Sequence, residues 1–214
     1  LLATLLAASV SCGSRKNMAN ANATADVKAR EYDAALARWS GTEKVYEKLE
    51  TRLIVSSTYK SGAFRDAWSD EYSRRYLLSD AERDELKKRE HADAESYHEF
   101  FFAAYTPESR WNDFSKRESI WKVRLFDDAG NSVEPLVVTK VKNDDPKLHA
   151  FYPYFTLWTK AYVVKFPKGG LSADSKSLRI QFSSALGAAE IAMDRSGADT
   201  PSNPQWGVSS RFLD

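Results

Sequence analysis

The chain holds three histidines and one cysteine, so chemistry that needs those side chains has few places to sit. His91, Glu95 and His98 are separated by steps of four and three. On one continuous helix that spacing puts all three on one face, where two imidazoles and a carboxylate would converge on a single divalent ion. Glu95 and His98 also make one Glu-x-x-His pair. A di-iron bundle needs two such pairs plus two further glutamates, yet Lys88 precedes His91 and Pro146 precedes His149 at that distance. A mononuclear site is what the spacing offers. A solvated, charged helix face explains the same residues with less, so no metal is expected.

Other constellations are thinner. There is no Gly-x-Ser-x-Gly elbow for a nucleophile and no Gly-rich phosphate cradle. The carboxylate pairs Asp127/Asp128 and Asp144/Asp145 lie in turn-like stretches, where such side chains accept backbone N–H groups. No catalytic residue and no cofactor are expected. Phe151, Tyr152, Tyr154 and Phe155 surround Pro153, and Trp158 follows. Exposed, these rings would form a flat apolar patch for a protein partner or a sugar ring. Buried, they would close one end of a core, which is the reading we favour.

A single cysteine excludes an intramolecular disulfide and any zinc site built from two or more cysteines. Residues 1–10 read Leu-Leu-Ala-Thr-Leu-Leu-Ala-Ala-Ser-Val, with no charge. That is the length of an export-signal hydrophobic region and far short of the ~20 residues of a membrane-spanning helix. Ser9 and Ser11 precede Cys12. The first 14 residues resemble a bacterial lipoprotein signal. Val10 and Ser11 fit the two positions before the lipidated cysteine, and Ser9 stands where Leu, Val or Ile is usual. The resemblance implies that Cys12 carries diacylglycerol and an amide-linked acyl chain, a stable anchor at ~0.8 kcal/mol per buried CH₂. Gly13, in place of the Asp that retains such proteins at the inner membrane, implies the outer membrane, facing the periplasm.

These residues need elements to position them. Residues 12–26, rich in Asn, Ala and Ser, read as the lipidated cysteine and a flexible tether. Ala29, Tyr32, Leu36 and Trp39 predict a helix over Asp26–Trp39, ended by Ser40-Gly41. Alternation predicts one long strand over Glu43–Tyr59. Phe64, Trp68, Tyr72 and Tyr76 step by four, a helical face expected to pack on a sheet. Ser79 and Glu82 form a capping box for a charged helix over Glu82–Glu95. Strands follow at Phe100–Phe102, Trp121–Leu125, Val133–Val141, Lys160–Phe166, Ser177–Ser183 and Ala188–Met193. From Ser196 the chain reads as a loose tail, with Trp206 and Phe212 able to dock back.

The expected fold is α+β: one domain over residues 27–195, an antiparallel immunoglobulin-like β-sandwich with a helical hairpin inserted after the first long strand. The 31 Lys+Arg nearly cancel the 30 Asp+Glu, so no field favours a nucleic-acid partner. The expected function is a membrane-anchored cell-envelope lipoprotein, non-catalytic, with a structural role or an envelope protein as partner. The alternatives are an envelope hydrolase or metal-dependent enzyme using His91, Glu95 and His98, and a carbohydrate-binding module using exposed aromatics.

Overall fold

The computed structural model describes residues 13–196, with side chains from Asp26 onward. Cys12, Trp206 and Phe212 lie outside these residues. Helix α1 covers Gly13–Trp39, so the helix expected from Asp26 extends back through the segment expected as a tether. Its Tyr32, Leu36 and Trp39 are buried, as their spacing requires.

The long strand expected over Glu43–Tyr59 is instead a hairpin of β1, Ser40–Glu47, and β2, Glu50–Tyr59. Lys48 turns the chain in the left-handed region, at φ 55. The turn is Lys48-Leu49, without the Asn or Gly that announces a two-residue hairpin, which is why alternation seemed to run through it. Gly41, expected to end a helix, sits inside β1. A Cβ there would lie 2.5 Å from the Ile191 Cγ2 atom.

Helices α2, Gly62–Tyr76, and α3, Asp80–Ser96, form the expected hairpin. Ser61 caps α2 by accepting from the Phe64 N–H. Ser79 caps α3, and the Glu82 carboxylate accepts from the Ser79 N–H at 2.8 Å, completing the capping box. Then come β3 (Tyr97–Tyr105), β4 (Lys122–Asp127), β5 (Ser132–Val133), β6 (Val137–Lys140), the short α4 (Pro146–Phe151), β7 (Lys160–Pro167), β8 (Ser177–Ser184) and β9 (Gly187–Asp194).

The strands make two antiparallel sheets, ordered β1-β2-β3-β7-β6 and β5-β4-β8-β9. The return strand expected over Val133–Val141 is divided between them: β5 pairs with β4, and β6 pairs with β7. Pro135 lies at the division, and it has no N–H to give to a ladder.

Phe102 of β3 meets Phe182 of β8 at 5.0 Å between ring centroids, joining the inner faces of the two sheets. The helices and residues 151–155 cover the opposite face of the first sheet. Phe100, Phe101 and Phe102 are consequently all buried, although successive side chains point to opposite faces.

Candidate functional site

A cavity of about 830 Å³ lies between the α2–α3 hairpin, α4 and the outer face of β3 and β7. Phe101 and Val163 form its floor. Tyr152 stacks on Phe101 at 4.0 Å. Trp68 and Tyr72, whose rings are 5.0 Å apart on α2, make one wall. Leu86 and Arg89 of α3 make another, and Lys147 and Leu148 of α4 stand on a third side. The helical stripe from Phe64 to Tyr76, expected against a sheet, packs on Tyr32, Phe151 and Tyr152, with Phe64 fully buried and Tyr76 left 43% exposed.

One end of the cavity is ionic. The Lys60 ammonium donates to Glu99 at 2.8 Å and lies 3.5 Å from Glu90. Arg65, with no solvent exposure, binds Glu99 at 3.2 Å and also donates to Glu90. Lys165 approaches Glu99 from β7 at 3.6 Å. Burial alone would raise the Glu99 carboxyl, but Lys60, Arg65 and Lys165 outweigh it and hold that group below the usual glutamate range. The cluster bolts the helical hairpin to β3.

The His91, Glu95 and His98 face does not exist. Helix α3 stops at Ser96, and the chain carries His98 into β3. There the His98 Nδ1 atom lies 2.9 Å from the Tyr59 hydroxyl. Burial, with Lys168 and Arg195 adding to it, lowers the His98 pKa to about 4. His91 stays outside, 2.7 Å from Asp66, and Glu95 is exposed. Among the described residues no group of three His, Cys, Asp or Glu side chains is placed to hold a metal ion.

The acidic pairs follow turn chemistry. Asp127 accepts from the Asn131 and Ser172 N–H groups at 2.7 and 2.9 Å, and Asp128 from that of Lys176 at 2.9 Å. Asp145 caps α4 through the Lys147 N–H. Asp144 is exposed.

The aromatic segment is not a surface platform. Phe151, Tyr152 and Phe155 are buried. Tyr154 is half-buried, with its hydroxyl 2.5 Å from that of Thr58. Only Trp158 is open, at 80%. Phe151 packs beneath Tyr32, Trp68 and Tyr72, and its carbonyl accepts from the Tyr32 hydroxyl. These rings cover the outer face of the first sheet; they do not close an end of the space between sheets. Sequence reasoning missed the cavity and the fully buried Arg65 behind Glu99. The signal was present in part, because Lys60 and Glu99 flank the two ends of the helical hairpin and Arg65 opens it.

Among the described residues lining the cavity there is no serine, threonine, cysteine or histidine. Glu99 is committed to its cations, and Glu82 and Asp145 to helix caps. The apolar, aromatic walls are those of a small-molecule binding site. No described helix is long and apolar enough to cross a membrane. No protein-family model matches the chain, and no curated protein does. A crystal structure of a novel protein of unknown function from Burkholderia pseudomallei K96243 is similar, with 11% identity and a TM-score of 0.43. The likeness covers 83% of this chain and 91% of that one.

Proposed function

We propose that the chain is a non-catalytic cell-envelope lipoprotein, anchored through Cys12 at the outer membrane and facing the periplasm, whose folded part binds a partner or ligand. The observation that carries the binding part is the cavity beneath the helical hairpin: about 830 Å³, largely aromatic in its walls, and without Ser, Thr, Cys or His among its described lining residues. The anchor rests on residues 1–14, where an uncharged run meets the chain's one cysteine.

An immunoglobulin-like framework fits this role, since such sandwiches commonly serve recognition. The order β2-β3-β7-β6 against β5-β4-β8-β9 corresponds to the A-B-E-D and C′-C-F-G strands of that fold. On this reading β1 is an added edge strand and the helical hairpin an insertion between the first two framework strands. Phe102 and Phe182 meet where antibody domains place their disulfide.

The anchor is tested by metabolic labelling of cells expressing the full gene with an alkyne palmitate. The label is expected on the wild type and absent from Cys12→Ser, with the wild type in the membrane fraction. Unlabelled wild type in the soluble fraction would overturn the reading.

A further inference from the structure

The excursion between β6 and β7 carries one wall of the cavity. Asp145, Lys147, Leu148, Phe151 and Tyr152 belong to it, and all line the cavity. Its far part is fixed by packing. Phe151, Tyr152 and Phe155 are buried, and Arg75 of α2 donates to the Ala150 carbonyl at 3.0 Å. Its near part, residues 143–148, is exposed or half-buried throughout. His149 joins the two parts. Its Nδ1 atom lies 2.9 Å from the Phe155 carbonyl oxygen, and its Nε2 atom 2.9 Å from that of Asn143. The imidazole also stacks on the Phe155 ring, with centroids 4.2 Å apart and planes within 5°.

A carbonyl only accepts, so both contacts are hydrogen bonds only in the imidazolium, where both ring nitrogens donate. A neutral ring donates to one carbonyl and turns a lone pair on the other. The charged groups around the ring are Lys142, Asp144 and Asp145 before α4 and Lys147 within it. Across the excursion, Arg75 is bound to Glu71 and Lys160 to the Ser109 carbonyl. The two carbonyls, with Asp145 acting in the same sense, raise the His149 pKa.

We propose that His149 is a proton-operated clamp on residues 143–148: the charged ring holds this arm of the cavity wall, and the neutral ring releases it from the Asn143 contact. The Phe155 bond is the one kept, because it lies on the buried side, next to the stacked ring, whereas the Asn143 bond is exposed. The arm is held below the folded pKa of the ring and released as pH rises through it. The clamp acts without a ligand, so its test is independent of the binding reading.

Amide hydrogen exchange of the full chain at about pH 5.5 and about pH 8.5, each rate divided by that of an unstructured amide at the same pH, tests this. The Lys147 N–H is bonded to the Asp145 carboxylate and the Tyr152 N–H to the Leu148 carbonyl. Both are expected to lose about fivefold or more in protection at the higher pH. Amides of the β3–β7 ladder are the control and should lose none. His149→Gln has one donor and one acceptor group at every pH, and is expected to show the lower protection at both. Asp145→Asn keeps a capping side chain and removes the neighbouring charge. In that variant the pH at which protection falls should move down, together with the His149 ring midpoint read by NMR. Equal protection at the two pH values in the wild type overturns the proposal. So does a fall of the same size in His149→Gln, or a fall whose midpoint differs from that of the His149 ring.

Discussion

The Lys60 ammonium meets the Glu99 carboxylate at 2.8 Å, tying the residue that follows β2 to the first part of β3. Arg65 completes the cluster from the first turns of α2, with no solvent to share its charge. Removing the acid would leave the Arg65 guanidinium and the Lys60 ammonium to share the Glu90 carboxylate alone. Glu99→Gln is expected to cost about 3–5 kcal/mol in urea unfolding at pH 7. Lys60→Met, at the more open edge, should cost less.

The same carboxylate gives a pH dependence with a definite sign. Its folded pKa lies below the usual 4.5, so its contribution is present above that value and is lost as pH falls through the folded pKa. Stability measured from pH 5 downward should decline, and Glu99→Gln should flatten that decline.

Two histidines should titrate in opposite directions. His98, lowered to about 4 by burial and nearby cations, favours folding above pH 6.5 and loses that contribution between 6.5 and 4. His149 has a carbonyl at each ring nitrogen, Asn143 and Phe155, both at 2.9 Å. Carbonyls only accept, so both nitrogens donate only in the imidazolium, and those carbonyls raise its pKa. Its contribution is present below 6.5 and is lost as pH rises through the folded value. Nitrogen-detected NMR titration should separate them, one midpoint below 6.5 and one above.

Gly41 leaves no room for a methyl, since a Cβ would sit 2.5 Å from Ile191. Gly41→Ala is expected to destabilise by about 1–3 kcal/mol through overpacking. Ile191→Ala in the same chain should recover part of that loss, and a double-mutant cycle measures the coupling. Strict additivity would mean that β1 and β9 do not pack as described.

Burial also sorts the aromatic segment. Phe151→Ala is expected to cost about 3–5 kcal/mol, whereas Trp158→Ser, at an 80% exposed position, should stay within about 0.5 kcal/mol. Chemical denaturation of both variants is the check. Zinc titration of wild type and His91→Ala should give the same affinity, because His98 is in the core and cannot join His91.

Much of the framework was legible from residue order. The Ser79–Glu82 box, the stripe from Phe64 to Tyr76 and the alternation in β4, β7 and β8 each depend on neighbours within one turn or one strand. Such short-range constraints act before any distant contact forms. The β1–β2 hairpin was hidden because Lys48-Leu49 carries no turn signal. The charged helix was read as far as Glu95 and ends at Ser96; only the metal reading carried it on to His98, whereas Tyr97 and His98 pair with Pro167 and Phe166, residues some seventy positions away.

The sequence alone therefore determined the alternation of helices and strands, the helical hairpin and the turn roles of the paired acids, because those follow from local spacing and local hydrogen bonding. Only the tertiary structure decided that Phe101 and Tyr152 stack over a cavity. It also decided that Arg65 has no solvent, and that His91 and His98 part company. Those outcomes depend on which distant surfaces meet and exclude water, and the same short pattern of residues serves equally on an open face or in a closed core.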